Sequence, residues 1–210
     1  MSFKPKIVPL GDSGLLVQSG EEINLDTNRR VHALAALIDH SSLHGVVESV
    51  PPYTTLLVQY DPLLLTYEGL QEWIRSKLEQ TDRFISTKSR LIEVPVSYGG
   101  ENGIDLEFVA HYGQLSVEDV IRIHSGKTYT VYMMGFTPGF PYMGKLEDAI
   151  ATPRLETPRT HVAAGTVAIA GLQTGIYPID SRGGWRCIGH TSLPLLDFTS
   201  GNPFLFSPGD

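Results

Sequence analysis

The chain has 210 residues and a formal net charge of −7, with 41% hydrophobic residues and a single cysteine. At about 150 residues per domain, this length allows one large domain or two small ones, and the apolar fraction suffices for a buried core. The acidic balance, without any basic run, argues against nucleic-acid partners. One cysteine cannot form an internal disulfide, and no apolar stretch has signal-peptide or membrane-spanning length. We therefore expect a cytoplasmic protein without membrane partners.

The first part of the chain predicts alternating strands and helices. Short apolar runs at Lys6–Leu10 and Gly14–Gln18 flank a Gly-Asp-Ser turn, and two further strand-like runs follow at Val46–Val50 and Thr55–Tyr60. Apolar residues at helical spacing predict one amphipathic helix between these two pairs and another after them. This order of elements is typical of a small α/β domain.

A polar stretch without apolar anchors marks a change of composition near residue 87. We place a boundary there, which gives domains 1–87 and 88–210. The alternating run at 88–98 can either add a last strand to a split βαβ sheet or open the second domain.

The second half predicts two helices and then a series of strands. Residues 105–112 and a capping pattern at Ser116 indicate the helices. After residue 127, four short strand-like runs alternate with Gly/Pro-rich turns, which is typical of an antiparallel barrel or sandwich.

The most unusual stretch is GFTPGFPYMGK at residues 135–145. Its prolines and glycines argue against a regular helix or a central strand, yet its aromatic rings are too many for a purely solvated loop. The rings suit one wall of a binding cleft, or they plug a barrel end. Seven positions match the phosphate-loop pattern, but Leu146 replaces the hydroxyl residue that would hold Mg²⁺, so we interpret that match as a coincidence.

Histidines and the cysteine offer little for chemistry. His40 and His44 have the spacing of metal ligands on a helix, but no glutamate lies between them. Cys187 has no base on the same face of its strand-like run, which predicts a packed thiol rather than a nucleophile. No metal site is expected.

A second informative stretch runs from residue 153 to residue 191. Two Pro-Arg pairs, ending at Arg154 and Arg159, can aim guanidinium groups at a carboxylate or a phosphate. Gln173 and Thr174 supply the neutral donors and acceptors that an amide ligand needs. The same residues can also be strand ends with ion pairs, and the residues alone leave this choice open.

Five motifs lie along these two stretches. They are GFxPGFxY from Gly135, PRxxxPR from Pro153, GxVxI from Gly165, QTGIYP from Gln173 and GGWxxIGxT from Gly183. In order and spacing they resemble the allophanate hydrolase subunit 1 / KipI family, which includes one component of the prokaryotic 5-oxoprolinase. The resemblance extends over nearly the whole chain.

The resemblance implies an α+β fold, with a small ferredoxin-like α/β N-terminal domain followed by a cyclophilin-like β-barrel domain. It implies a subunit of an ATP-dependent 5-oxoprolinase, an amidohydrolase that opens the cyclic amide 5-oxoproline to glutamate. The implied partners are an allophanate hydrolase subunit 2-like protein and a LamB/YcsF-like subunit, with ATP and Mg in the assembled complex. Two alternatives are a KipI-like inhibitor of a sensor histidine kinase and an allophanate or urea amidolyase-type subunit.

The chain has no phosphate loop and no obvious pair of Mg²⁺ carboxylates, so we expect half a site that is inactive alone. No catalytic residue is assigned. The candidate substrate-binding residues are arginines for anionic groups, an amide and a hydroxyl for the lactam, and aromatic walls. They are Arg154, Arg159, Gln173, Thr174, Phe136, Phe140, Tyr142, Tyr177 and Trp185.

Overall fold

The computed structural model describes residues 5–85 and 89–210, and the chain divides into two compact units, 1–89 and 90–210. The expected boundary between residues 87 and 88 lies outside the described residues. Within the described ranges, no helix combines the length and the apolar character that crossing a bilayer requires.

Within residues 5–85, the first unit contains a four-stranded antiparallel sheet and two helices. Its elements are β1 Lys6–Leu10, β2 Gly14–Gln18, α1 Leu25–Ser41, β3 Val46–Val50, β4 Thr55–Tyr60 and α2 Tyr67–Leu78, followed by a 3-10 turn at Thr81–Phe84. The strand order is β1-β2-β4-β3. Therefore β2, α1 and β3 form a split βαβ unit with β4 between its strands. The outer position beside β2 is occupied by β1, and the ferredoxin-like assignment stays a prediction.

One face of this sheet forms the core of the first unit. Leu15 and Val17 of β2 and Leu56 and Val58 of β4 are fully buried, and they pack with apolar residues of both helices. These residues alternate along each strand, as expected for a sheet with a single helix-covered face.

The second unit contains two helices and the remaining strands. Its elements are β5 Ser97–Tyr98, α3 Leu106–Tyr112, α4 Val117–Ser125, β6 Thr130–Met134, β7 Pro141–Gly144, β8 Arg159–Val162, β9 Thr166–Ala170, β10 Gln173–Ile176, β11 Ser181–Gly183 and β12 Arg186–His190, with 3-10 turns at Gly100–Asn102 and Asp148–Ile150. Six strands form an antiparallel sheet in the order β5-β12-β9-β10-β7-β6, and β8 pairs with β11 separately.

Among the described residues, neither sheet of the second unit closes into a barrel, in contrast with the closed barrel that the resemblance implies. The open ends are β5 and β6, and β5 has only two residues. The run before β5 places Ile92 and Val94 against the core without strand pairing, and Pro95 has no N–H group to donate. From Arg90 onward this run belongs to the second unit, and the cyclophilin-like assignment stays a prediction.

The strand β7 corrects another expectation, because the composition of residues 135–145 argued against a central strand. Pro141–Gly144 lies between β10 and β6. Proline is tolerated because it is the first residue of the strand. The segment that matches the phosphate-loop pattern is thus largely an extended strand.

The six-stranded sheet has two different faces. On β9, Val167 and Ile169 point into a large core shared with α3 and α4, whereas Ala168 and Ala170 point to the opposite face. That opposite face carries most of the aromatic residues of the sequence motifs.

Candidate functional site

Five aromatic side chains of the two motif stretches meet on the opposite face of the sheet, and we call them the aromatic cluster. Phe140 is central, with its ring centroid 5.6 Å from that of Phe136, 4.8 Å from Tyr142, 5.2 Å from Tyr177 and 5.5 Å from Trp185. All four pairs are edge-to-face, a favourable arrangement for aromatic rings.

Small residues in the sheet make room for this cluster. Strand register aligns Cys187, Ala168 and Gly175 in one row across β12, β9 and β10, and Tyr142 of β7 follows at the end of this row. A Cβ atom added at Gly175 would lie 2.7 Å from Cζ of Phe140. The row therefore forms a shallow floor on which the rings lie.

The cluster is closed at its base and open on one side. Phe140, Tyr177 and Trp185 are between 1% and 5% exposed, and Val162 of β8 packs beside them. Tyr142 is half-buried, whereas Phe136 is 60% exposed. A ligand can therefore reach Phe136 and Tyr142 more readily than the inner rings.

Phe136 is held in a conformation that its residue type rarely adopts. Its φ angle is +66°, in the left-handed region, and such a backbone costs about 1–3 kcal/mol. Phe136 and Pro138 also line a cavity of about 420 Å³ together with Phe204 and Phe206. A strained and exposed aromatic residue between the cluster and a cavity suits a binding role.

Arg154 provides an accessible positive charge beside the cluster. Its guanidinium carbon lies 5.7 Å from the ring centroid of Trp185, and the residue is exposed. Burial raises the pKa of Tyr142 and, to about 12, that of Tyr177, while the charge of Arg154 partly opposes both shifts. An anion that reaches this face meets a cation next to flat aromatic surfaces.

Arg159 has a different environment. Its Nη2 donates to Oδ1 of Asp105 at 2.8 Å, and its Nη1 donates to the carbonyl of Trp185 at 3.5 Å. Burial lowers the pKa of Arg159, but the hydrogen bond and charge of Asp105 outweigh it and hold that pKa above its ordinary value. The Arg159 guanidinium therefore binds groups of the protein itself, the Asp105 carboxylate and the Trp185 carbonyl.

The structure separates the two polar candidates on β10. Gln173 pairs in register with Ala170 and is half-buried on the face of the aromatic cluster. Thr174 points to the other face and is 1% exposed, and its hydroxyl donates to the carbonyl of Ala168 and contacts His124. Alternation along a strand explains the separation, which the predicted grouping of the two residues ignored.

Sequence reasoning missed Asp105 and assigned no contact to Cys187. Asp105 is the N-cap position of α3, a signal that suggests helix capping, yet its carboxylate accepts no capping hydrogen bond. It accepts one from the backbone N–H of Cys187 at 2.7 Å instead. The Cys187 thiol is buried, and burial raises its pKa to about 11, so the thiol is protonated at neutral pH.

Over residues 5–85 and 89–210, no three His, Cys, Asp or Glu side chains converge as metal ligands. The backbone of Pro141–Gly144 is paired in the sheet on both sides, so it cannot wrap a phosphate.

The chain is a mixed α/β protein with antiparallel sheets and an aromatic candidate site. Comparison with known proteins identifies its family. Residues 5–206 match the model for the carboxyltransferase domain, subdomain C and D, and the chain belongs to this family. It is 43% identical to the B subunit of 5-oxoprolinase from Bacillus subtilis, over 100% of this chain and 92% of that protein. It is 40% identical to the corresponding 5-oxoprolinase subunit from Escherichia coli O157:H7, over 96% and 91%. The family resemblance of the sequence motifs is confirmed.

Solved structures agree with this assignment. The crystal structure of TTHA0988 matches with a TM-score of 0.80 at 38% identity, over 94% of this chain and 38% of that protein. This chain thus spans well under half of TTHA0988. A conserved uncharacterized protein of Pyrococcus horikoshii, PH0987, is 49% identical over 98% of this chain and 94% of its own, with a TM-score of 0.56.

Proposed function

We propose that this chain is a subunit of an ATP-dependent 5-oxoprolinase and binds the lactam at the open side of the aromatic cluster. Its partners in this proposal are an allophanate hydrolase subunit 2-like protein and a LamB/YcsF-like subunit. The observation that carries the proposal is the identity of 43% over the full chain to a protein named as the B subunit of 5-oxoprolinase. The two units would correspond to ferredoxin-like and cyclophilin-like domains, and the single buried thiol suits a reducing compartment such as the cytoplasm.

The accessible groups match the chemistry of this substrate. 5-Oxoproline is a flat five-membered lactam with one carboxylate and one amide. Arg154 offers a cation for the carboxylate, and Tyr142 and Phe136 offer aromatic surface for the ring. Gln173 lies on the same face and has the donor and acceptor that an amide requires.

Tyr177 and the nearby Cys187 thiol do not supply the base for this reaction. Opening the lactam adds water to its carbonyl carbon, breaks the C–N bond and yields glutamate, and ATP drives this reaction because ring closure is favourable. Burial raises the pKa of Tyr177 to about 12 and that of Cys187 to about 11. Neither group is a base at neutral pH. In this proposal a partner subunit supplies the base and completes the site.

The test is reconstitution from purified subunits, with 5-oxoproline and ATP as substrates and glutamate and ADP as the measured products. We expect turnover only in the mixture. Arg154→Gln should raise the KM for 5-oxoproline about tenfold, because a charge-assisted contact is lost. Arg122→Gln is the matched control, since Arg122 is an exposed arginine of α4 that pairs with Asp119. Turnover by this chain alone, or an unchanged KM in Arg154→Gln, would contradict the proposal.

A second candidate is a role in allophanate or urea metabolism. The chain is 24% identical to the urea amidolyase of Saccharomyces cerevisiae over 99% of its length, although it spans 13% of that protein. Allophanate in place of 5-oxoproline is therefore the second arm of the same assay. Ammonia release with allophanate and no glutamate from 5-oxoproline would favour this candidate. A KipI-like inhibitor would show neither activity and would inhibit autophosphorylation of a sensor histidine kinase.

A further inference from the structure

Two charged side chains hold the backbone that carries Trp185. Arg159 donates to the carbonyl of Trp185 at 3.5 Å. Asp105 accepts the N–H of Cys187 through its carboxylate at 2.7 Å, and its own N–H donates to the carbonyl of Cys187 at 2.9 Å. Asp105 and Arg159 are joined by their own ion pair at 2.8 Å. The backbone of residues 185–187 is thus held by hydrogen bonds at both ends, from Arg159 at one end and Asp105 at the other.

The carboxylate of this pair is buried, whereas its guanidinium is partly exposed. The side chain of Asp105 is 7% exposed and that of Arg159 is 27% exposed. Arg186 adds a second guanidinium 3.7 Å from the same carboxylate and stacks on Phe108. Arg159 and Arg186 both lie against this one carboxylate, so replacing Asp105 would leave two guanidiniums without their partner.

This backbone segment carries Trp185, an aromatic residue of the proposed binding face. The ring of Trp185 lies 5.6 Å from Tyr142, 5.5 Å from Phe140 and 5.7 Å from the guanidinium carbon of Arg154. Displacement of the backbone at residue 185 would therefore move both the aromatic surface and the cation that rests on it.

The structure assigns Asp105 and Arg159 as positioning residues that hold Trp185, and through it Arg154, in the geometry that receives a flat anionic ring. The ligand in this statement rests on the proposed function, whereas the placement of Trp185 does not. Arg159 then acts through the backbone of Trp185 and does not contact the ligand.

Tryptophan fluorescence tests the placement independently of activity. In a Trp73→Phe background, Trp185 is the only remaining tryptophan of the chain. Asp105→Asn and Arg159→Lys should each shift its emission to longer wavelength and increase its quenching by acrylamide, because a loosened indole meets water. Arg159→Lys keeps the charge opposite Asp105 but loses the forked donor set, so it serves if Asp105→Asn does not fold. Asp119→Asn, which removes a partly exposed, arginine-paired carboxylate in the same unit, is the matched control.

Kinetics of the reconstituted complex test the consequence for the site. Both variants should raise the KM for 5-oxoproline about 10- to 100-fold, with kcat and the KM for ATP nearly unchanged, because they disturb ground-state and transition-state binding alike. Folded variants with parental Trp185 emission overturn the assignment. So does a changed emission with an unchanged KM, or failure of Arg159→Lys to fold. If the parent complex does not open 5-oxoproline, the proposed function fails, while the emission result still decides whether the pair positions Trp185.

Discussion

His124, at the end of α4, is buried with hydrogen bonds to both ring nitrogens. Nδ1 lies 2.7 Å from the hydroxyl of Tyr98, and Nε2 lies 2.9 Å from the hydroxyl of Thr174. The Thr174 hydroxyl donates its proton to the carbonyl of Ala168, so it accepts from Nε2–H. Nδ1 then accepts from Tyr98, which assigns one neutral tautomer to the ring.

This network predicts loss of stability in acid. Burial lowers the pKa of His124 from 6.5 to about 4. Between these values the unfolded chain binds a proton at His124 that the folded chain does not bind. The stability that neutral His124 contributes is therefore complete above pH 6.5 and is lost as the pH falls toward 4. The loss amounts to about 3 kcal/mol. Urea unfolding across this pH range should show the slope, and His124→Gln should flatten it.

The control for this prediction is His111→Gln, because His111 is exposed near the end of α3. It should leave the pH dependence unchanged. An equal slope in His124→Gln and in the parent protein would show that other groups cause the acid sensitivity.

At the scale of elements, the row of small residues under the aromatic cluster makes a prediction about β10. Gly175→Ala places a Cβ atom 2.7 Å from Phe140 and 3.0 Å from the carbonyl of Pro141, so packing must shift. We expect a loss of about 1–3 kcal/mol in the free energy of unfolding, measured by urea denaturation. In Gly184→Ala the new atom meets Pro158 at an ordinary 3.5 Å, so this matched variant should be nearly neutral. Equal stability of the two variants would argue against a tight floor.

Apolar periodicity predicted the strands and helices of the first unit, but it failed at two proline-containing segments of the second unit. The strands β1 to β4 and their helices follow apolar spacing that a sequence displays directly. The run before β5 alternates as a strand does, yet Pro95 cannot complete a ladder. Conversely, β7 begins with Pro141, and its place between two strands depends on partners that composition does not reveal.

At the scale of the whole molecule, each compact unit contains one of the two tryptophans, Trp73 in α2 and Trp185 before β12. Each unit has a hydrophobic core of its own, so we expect two unfolding transitions rather than one. Trp185→Phe leaves the Trp73 signal, and Trp73→Phe leaves the Trp185 signal. Their urea midpoints should differ, and acid should lower the Trp185 midpoint more, because His124 lies in the second unit. Coincident midpoints at every pH would contradict this prediction.

Only the parts of the candidate site whose residues lie close together in the sequence could be predicted. The motifs around Phe136 and Phe140 identified the rings, because aromatic residues in a rigid Pro/Gly segment stand out locally. Asp105 precedes Arg159 by 54 residues and Cys187 by 82, and no spacing rule connects positions so far apart. Such pairing is a product of the tertiary fold, which a single sequence does not display.

The two faces of the six-stranded sheet restrict how this chain can diverge. Val167 and Ile169 alternate with Ala168 and Ala170, so one inserted or deleted residue within β9 would exchange core side chains with the floor of the aromatic cluster. Relatives can therefore vary these strands by replacement, whereas gaps in an alignment should fall in the connections, such as residues 113–116 between α3 and α4. Lineages that lengthen the protein are expected to do so there and to leave the strand lengths intact.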